Sequence, residues 1–208
     1  MARILDLFAG LGGERRRTAI EARGHEYVTL DLDPTFGCNI SADILTVTAD
    51  DLRGYDFIWA SPPCESFSVA SIGTHWDADT RLPKTDQARL HMRIIEHTRM
   101  LCEDTNPILG FLIENPRGML RKLECVRGLP RHTVTYCQYG ETRMKPTDLF
   151  GHLPGWDPKP PCRNGDPCHE RAPRGARTGT QGIKGSAERA VVPWALWDEI
   201  LGVIERRQ

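Results

Sequence analysis

The sequence predicts a single α/β domain built on a mostly parallel, doubly wound sheet. Short apolar segments have the character of strands, segments with helical periodicity follow several of them, and glycine-rich or acidic stretches stand at the strand ends. The 208 residues suffice for one domain of this kind with little left over. In such a sheet ligands bind beyond the carboxyl ends of the strands, so we expect the functional residues there.

Seven strands and three main helices account for most of the chain. Strands are predicted at residues 2–8, 27–31, near 40, 56–60, 110–114, 133–136 and 147–150, and helices at about 14–23, 85–102 and 192–204. Residues 153–186 are rich in Gly, Pro, Arg and Cys and follow neither period, which predicts a small irregular insert. Residues 1–152 and 187–208 would then form the main domain.

Composition and charge restrict the class of protein. The formal net charge of −1 argues against a surface that binds polyanions everywhere. A local excess of cations between Lys159 and Arg189 suits a phosphate-contacting surface and a solvated loop equally well. We expect no membrane partner and a cytoplasmic location (host cytoplasm for a phage protein), because no apolar run approaches membrane-spanning length and no signal-peptide pattern is present. The seven cysteines show no disulfide framework.

The first predicted strand ends in a glycine-rich turn that is typical of nucleotide binding. Its residues are Phe8, Ala9, Gly10, Leu11, Gly12 and Gly13, and the glycines let a ligand approach the backbone at a helix N-terminus. Asp31, with Leu32 beside it, follows at the spacing where a carboxylate meets ribose hydroxyls, and Asp33 is the alternative. Asp43 and Ile44 place a further acidic group near the third strand, within reach of an adenine amino group.

A cysteine stands at the tip of the fourth predicted strand. Residues 61–64 read Ser-Pro-Pro-Cys, and the two prolines keep the backbone extended. A thiol presented in this way indicates a nucleophile more than a structural group. Glu114, in the stretch Glu-Asn-Pro, stands at the tip of the fifth strand.

Together these motifs resemble those of the DNA cytosine-5 methyltransferase family. Residues 6–13 match its Asp-Leu-Phe-x-Gly-x-Gly-Gly motif, residues 63–68 match its Pro-Cys motif, and residues 114–116 differ from its Glu-Asn-Val motif only in the last residue. The matches keep the family's order and cover about residues 3–150. The resemblance implies a Rossmann-like fold and S-adenosylmethionine (SAM) as cofactor, contacted by the glycine turn, the acidic strand ends and Pro63.

The resemblance also implies covalent catalysis on a cytosine ring. Cys64 would add to C6 as a thiolate and make C5 nucleophilic, while Glu114 would favour the addition by protonating N3. Because the thiol must ionise, we expect nearby positive charge to depress its pKa. Lys145 aligns with the arginine of the family's eighth motif, which directs a cation toward O2 of the base, and Arg143 is the alternative, with Gln138 as a further contributor.

The C-terminal segment resembles the family's last motif, which packs beside the cofactor. Residues 189–193 read Arg-Ala-Val-Val-Pro, with Val191 at the valine position and Arg189 where the family has asparagine. A guanidinium group repels a sulfonium but attracts an anionic substituent. A carboxylated SAM (carboxy-SAM) and a carboxymethylcytosine product are therefore an alternative, and a contact of Arg189 with a phosphate is the favoured interpretation.

The insert is much shorter than the target-recognition domain that members of this family usually carry. A small insert predicts a short or relaxed recognition sequence, on duplex DNA with a flipped cytosine or on single-stranded DNA. Residues 171–177, which read Arg-Ala-Pro-Arg-Gly-Ala-Arg, are the candidate contact with the DNA backbone. Cys162, Cys168 and His169, with His152 just before the insert, are candidate zinc ligands.

Three rival functions are consistent with the same motifs. RNA is the less favoured substrate, since a Pro-Pro-Cys nucleophile also occurs in tRNA-modifying relatives of the family. An amino-methyltransferase would have Ser-Pro-Pro-Tyr at residues 61–64 and needs no nucleophile. A catalytically idle nucleic-acid-binding protein would not need Cys64 and Glu114.

Overall fold

A seven-stranded sheet forms the centre of the protein, whose computed structural model describes residues 1–171 and 190–208. The strands are β1 (Arg3–Leu7), β2 (Glu26–Asp31), β3 (Ile40–Ser41), β4 (Phe57–Ala60), β5 (Phe111–Pro116), β6 (Arg131–Thr135) and β7 (Pro146–His152). The helices within the described residues are α1 (Gly10–Glu21), α2 (Ile72–His75), α3 (Asp86–Thr105) and α4 (Trp194–Glu205). Short 3-10 helices stand between β2 and β4 and between β5 and β6, where the chain has no longer helix.

The strand order is β3-β2-β1-β4-β5-β7-β6. The first five strands are parallel, and β7 runs antiparallel to both β5 and β6. The chain order reverses between β1 and β4, and in parallel sheets this is where a crevice opens beyond the strand ends. The predicted mostly parallel, Rossmann-like sheet is therefore confirmed.

Helices cover both faces of the sheet, as a doubly wound fold requires. On one face α1 and α4 pack over a cluster in which Trp197 contacts Trp59 at 4.9 Å and Tyr27 at 6.2 Å between ring centroids. On the other face α3 buries Ile95 and Leu101 against the remaining strand side chains. Burial of the strands on both faces explains why they appear in the sequence as continuous apolar runs.

Helix α1 begins four residues earlier than its predicted start at Glu14. It starts at Gly10, inside the glycine turn, because the Asp31 carboxylate accepts a 2.9 Å hydrogen bond from the Gly10 N–H. Glycine has a low intrinsic helix propensity, so the sequence alone favours a later start. A carboxylate from the neighbouring strand supplies the missing N-terminal partner.

Residues 153–171 contain neither helix nor strand. Leu153 and Trp156 are buried there, and the indole N–H of Trp156 donates a 2.8 Å hydrogen bond to Glu199 of α4. Residues 172–189, which include Arg189 and most of the candidate DNA contact at 171–177, lie outside the described residues. Among the helices of the described residues, none is both long and apolar enough to span a bilayer.

Candidate active site

The glycine-rich turn brings the backbone sharply across the end of β1. Phe8 and Gly10 both have positive φ values, of 62° and 51°. A left-handed conformation is unusual for a residue with a side chain and tends to persist only where surrounding structure imposes it. The Ala9 N–H donates a 3.2 Å hydrogen bond to the Leu30 carbonyl, so the turn is held against the end of β2.

Gly13 has a packing role instead of the predicted cofactor contact. It does not line the cavity described below, and a Cβ atom at this position would lie 2.8 Å from the Ala9 Cβ and 3.0 Å from the Thr29 Cγ2. Only glycine lets α1 approach β2 this closely. The prediction that Gly13 contacts the cofactor is corrected accordingly.

Beneath the turn, a buried charge pair joins α1 to the sheet. The Asp6 carboxylate accepts hydrogen bonds from the Arg16 guanidinium and the Tyr27 hydroxyl, and Arg16 Nε donates to the Tyr27 oxygen at 3.1 Å. Buried charges are tolerated when they are paired in this way. The acidic residue that opens the glycine motif therefore anchors α1, a role that the motif alone did not reveal.

One cavity of about 730 Å³ lies along the carboxyl ends of the strands. The predicted site residues that line it are Phe8, Ala9, Gly10, Leu11, Gly12, Asp31, Leu32, Asp43, Ile44, Pro63, Cys64, Glu114, Lys145 and Val191. The glycine turn and the acidic strand ends are thus continuous with the cysteine and the glutamate. A cofactor and a second reactant would meet in this space.

The cofactor half of the cavity has the chemistry that SAM requires. Asp31 and Asp43 provide carboxylate acceptors for hydroxyl and amino groups at the ends of β2 and β3. Leu32 and Val191 are 66% and 37% exposed although they are apolar, and a flat apolar ring would cover them. The residues present therefore fit SAM.

The carboxylates of Asp31 and Asp33, the two candidates for the ribose contact, accept hydrogen bonds from different groups. Asp33 also lines the cavity, but one of its oxygens accepts hydrogen bonds from the Thr35 N–H at 2.9 Å and the Thr35 hydroxyl at 2.7 Å. These bonds close its own 3-10 turn. Asp31 instead holds the cofactor half together, because one of its oxygens accepts the Gly10 N–H of the glycine turn at 2.9 Å and the other accepts the Asp33 N–H at 3.1 Å.

Hydrogen bonds and aromatic packing hold the loop that carries Cys64 in place. The Cys64 carbonyl accepts hydrogen bonds from the Phe67 N–H at 3.0 Å and the Ser68 N–H at 3.1 Å. Phe67 is fully buried and stacks on Trp76 at 5.6 Å between centroids, while the Trp76 indole N–H donates to the Ser66 carbonyl at 2.7 Å. The thiol is therefore held in place by the turn that follows it.

Asn115 ties this loop to the end of β5. Its side-chain amide donates a 3.3 Å hydrogen bond to the Pro62 carbonyl, and the residue is fully buried. Met119 adds a second tie, since its N–H donates to the Phe67 carbonyl at 2.8 Å. The asparagine of the Glu-Asn-Pro motif thus positions Cys64 relative to Glu114, a role that sequence reasoning missed.

Glu114 is 5% exposed and has two neighbours that decide its electrostatics. Its Oε1 atom accepts a 2.9 Å hydrogen bond from the Tyr136 hydroxyl, and the Lys145 Nζ atom lies 4.0 Å from the same oxygen. The Lys145 ammonium also lies 4.5 Å from the centre of the Tyr136 ring. Tyr136 was not among the predicted site residues, although it is the last residue of the strand predicted at 133–136.

Of the two candidate cations, the structure brings Lys145 to the cavity and turns Arg143 away. The Arg143 guanidinium forms a 2.6 Å ion pair with Glu170 of the insert. The Gln138 side chain likewise faces the insert, where its amide donates to the Cys168 sulfur at 3.7 Å. Lys145 is therefore the cation beside Glu114.

The Cys64 thiol has a raised pKa, opposite to the depressed value that we expected. Burial raises the pKa to about 11, the nearby Glu114 and Glu65 carboxylates add to this, and Lys145 opposes them. The expectation counted the positive charge near the thiol but not the cost of burying a thiolate. At neutral pH Cys64 is protonated, and its proton must leave during the reaction.

The predicted metal ligands come together only in part. Cys162, Cys168 and His169 converge with Cys137, so that one ligand atom from each lies within 4.8 Å of the others. His152 is not among them and the prediction that it is a ligand is wrong. It pairs with Phe111 at the start of β5, because β7 runs antiparallel to β5 and ends at the opposite edge of the sheet.

A viral relative resembles the chain over nearly its whole length. A probable DNA (cytosine-5)-methyltransferase of Frog virus 3 (isolate Goorha) is 30% identical over 218 residues, which cover 96% of this chain and 98% of the relative. No protein-family model matches the chain.

A solved methyltransferase structure shares the fold, and a second one is similar to part of the chain. The Entamoeba histolytica methyltransferase EhMeth is 11% identical with a TM-score of 0.51 and covers 77% of this chain. The S. pombe Dnmt2 methyltransferase is 21% identical with a TM-score of 0.44 and covers 76%. The chain spans only 56% and 53% of those two structures. Because the viral relative is matched from end to end, the chain belongs to the DNA cytosine-5 methyltransferase family.

Proposed function

We propose that this protein methylates C5 of cytosine in DNA, with SAM as donor and a covalent bond between Cys64 and C6 of the base. The observation that carries the proposal is the single cavity in which Cys64 and Glu114 lie beside the glycine turn and Asp31. The name of the viral relative supports DNA as the substrate.

The cofactor half of the cavity would hold SAM, which supplies an electrophilic methyl group. The backbone of Gly10 to Gly12 would cradle its amino-acid end, Asp31 would accept from the ribose, and Asp43 from the adenine amino group. Leu32 and Val191 would cover the adenine ring. A methyl donor held by these residues would share the cavity with Cys64.

Cytosine C5 is too weak a nucleophile to attack a methyl group unaided. Addition of the Cys64 sulfur to C6, with a proton placed on N3, converts the ring into an enamine that is nucleophilic at C5. The thiol loses one proton and N3 gains one, so the addition is balanced without an outside acid. Glu114 is the carboxyl group placed to pass a proton to N3.

Transfer of the thiol proton to the base explains how a thiol with a raised pKa can react. The Glu114 carboxylate is one of the causes of that raised pKa. A proton on Glu114 removes this repulsion, so protonation of Glu114 and ionisation of Cys64 assist each other. Lys145 favours the thiolate from the other side.

After C5 has received the methyl group, the ring must be restored. Loss of the C5 proton to a base lets the electrons of the C5–H bond reform the ring double bond and expel the Cys64 thiolate, and N3 returns its proton through Glu114 to that sulfur. The products are 5-methylcytosine, the demethylated cofactor and free enzyme. The reaction therefore leaves Cys64 ready for another cycle.

The target base has to reach a cavity that a stacked base cannot enter. On duplex DNA the cytosine would be flipped out of the helix, and on single strands it is already accessible. The insert, with Arg171 at the edge of the described residues, would contact the phosphate backbone. The expected cytoplasmic location and the division into a main domain and this insert stay predictions.

Covalent trapping on a fluorinated base tests the proposal. Fluorine at C5 blocks the final elimination, so an active enzyme should form a denaturation-resistant complex with 5-fluorocytosine DNA when SAM is present. Cys64→Ser should form no such complex. Cys38→Ser, which changes another half-buried cysteine outside the site, is the matched control and should trap like the wild type.

Each rival function gives a different result in the same experiment. Trapping on RNA of the same sequence, and not on DNA, would make the protein an RNA methyltransferase. Methyl transfer that survives Cys64→Ser would indicate an amino-methyltransferase, and binding without methyl transfer an idle protein. The carboxy-SAM alternative depends on Arg189, outside the described residues, and mass spectrometry of the product with each donor distinguishes it.

A further inference from the structure

Three thiols and an imidazole converge between the insert and the turn that follows β6. The Cys137, Cys162, Cys168 and His169 side chains form this thiol–imidazole cluster. We propose that the cluster binds one zinc ion, which fastens the insert to the catalytic edge of the sheet. Cys137 completes a four-ligand set that the sequence alone left one residue short.

Three of four distances within the cluster match those of tetrahedral zinc coordination, and the Cys137–Cys162 distance is shorter. With zinc–sulfur bonds of about 2.3 Å and zinc–nitrogen bonds of about 2.0 Å, two sulfurs lie about 3.8 Å apart and a sulfur and a nitrogen about 3.6 Å apart. The Cys137 sulfur lies 3.1 Å from that of Cys162 and 3.7 Å from that of Cys168. The His169 Nδ1 atom lies 3.6 Å and 3.4 Å from the Cys162 and Cys168 sulfurs.

The identity of the ligands selects the metal. Thiolate and imidazole ligands favour zinc over magnesium or calcium, which require oxygen ligands. A cystine would explain only two of the four groups, and the 3.1 Å separation of the Cys137 and Cys162 sulfurs is well beyond a bond of about 2.05 Å. All four side chains are at least half-buried, so their convergence is not a surface coincidence.

The described part of the insert buries few apolar side chains, so a metal ion would add to the polar contacts that hold it in place. After Trp156 its side chains through Arg171 are exposed or half-buried. Two of its backbone N–H groups bond to β6 and to the loop after it: Cys162 donates to the Thr135 hydroxyl at 3.0 Å, and Glu170 donates to the Thr142 carbonyl at 2.8 Å. Short segments without an apolar core commonly depend on a structural metal.

The position of Cys137 links the cluster to catalysis. Cys137 directly follows Tyr136, whose hydroxyl holds Glu114, and both belong to the 3-10 helix Tyr136–Tyr139. A metal bound at Cys137 would restrain this turn. Loss of the metal should therefore loosen the Glu114 contact without removing any group that touches the substrate.

Metal content measured by elemental analysis tests the proposal directly. Wild-type protein expressed in zinc-supplemented medium and desalted should contain about one zinc per chain. Cys162→Ser should lose most of it, and Cys38→Ser, also a half-buried cysteine, should keep it. Zinc at the level of a buffer blank in the wild type, or equal zinc in both variants, would overturn the proposal.

A second measurement uses only the wild-type chain, in case a variant fails to fold. Co²⁺ added to chelator-treated protein should produce the charge-transfer absorption of cobalt thiolates at one equivalent, and three of the seven thiols should become protected from alkylation. An intact mass lower by two hydrogens, with Cys137 joined to Cys162, would show a disulfide instead. Neither readout depends on methyl transfer, so failure here is distinct from failure of the proposed function.

Discussion

Tyr136 donates a 2.9 Å hydrogen bond to Oε1 of Glu114, although Glu114 lies in β5 and Tyr136 directly follows β6. Both are buried, and burial together with the Glu114 charge holds the pKa of Tyr136 well above its usual range. The phenol therefore remains a donor throughout the pH range of the reaction. Its bond holds the carboxyl group in one orientation toward the Cys64 end of the cavity.

Removal of this hydroxyl should slow the reaction. Tyr136→Phe keeps the ring beneath Lys145 but removes a hydrogen bond to a charged group, a loss that corresponds to a roughly 10- to 100-fold lower single-turnover rate. The pH–rate profile should also shift, because the carboxyl group that protonates N3 loses its fixed donor.

Tyr139→Phe is the matched control, on the same turn. The Tyr139 hydroxyl bonds Glu199 and Lys159, away from the cavity. This variant should keep the wild-type pH profile even if its stability falls. A similar change of profile in both variants would assign Tyr136 a merely structural role.

Lys145 should control the ionisation of Cys64. Lys145→Gln removes the cation that opposes the raised pKa of the thiol, so that pKa should rise further above about 11. The alkylation rate of Cys64, followed by mass spectrometry as the pH is raised, measures the change. Arg143→Gln, whose parent side chain pairs with Glu170, should leave this rate unchanged. A lower pKa in Lys145→Gln would contradict the assignment.

Asp31 should carry the ribose contact in preference to Asp33. Asp31→Asn keeps the size of the side chain but removes its charge, and we expect a roughly 10- to 100-fold weaker dissociation constant for SAM by calorimetry. Asp33→Asn should change it less than about threefold, because its carboxylate closes its own turn with Thr35. If Asp33→Asn weakened SAM binding more than Asp31→Asn, the ribose contact would be assigned to Asp33.

Glu205 should contribute stability that disappears in acid. Hydrogen bonds from Arg23, with His25 adding, lower the pKa of Glu205 from 4.5 to about 2. A carboxyl group whose pKa is lower in the folded state stabilises the fold above about pH 4.5, and this stabilisation is lost as the pH falls toward 2. Glu205→Gln should therefore lower the free energy of unfolding by about 0.5–1 kcal/mol at neutral pH, since the pair is partly exposed to solvent.

Urea denaturation at neutral and acid pH checks whether the stabilisation by Glu205 is lost in acid. The difference between Glu205→Gln and wild type should shrink as the pH approaches 3. Glu124→Gln, from an exposed pair with Arg127, should have a smaller effect at neutral pH. A difference that grows in acid would be inconsistent with the lowered pKa.

Local sequence was sufficient to predict the strands and the functional residues at their tips. The apolar runs that form β1, β4 and β5 end at the glycine turn, Cys64 and Glu114, and parallel strands bring such ends to one edge. The order of the motifs along the chain therefore carried the family resemblance. Which of Asp31 and Asp33 bonds the glycine turn is visible only in the folded structure.

What the sequence by itself determined is the chemistry at the strand ends, because strand period and turn residues are local properties of the chain. Tertiary structure decided the partners, since β7 runs antiparallel and β6 returns beside it. That topology sends His152 to the far edge and brings Cys137 to Cys162, Cys168 and His169 of the insert. It also buries Cys64 beside Glu114 and so raises the thiol pKa, because burial and charge depend on residues distant in the chain.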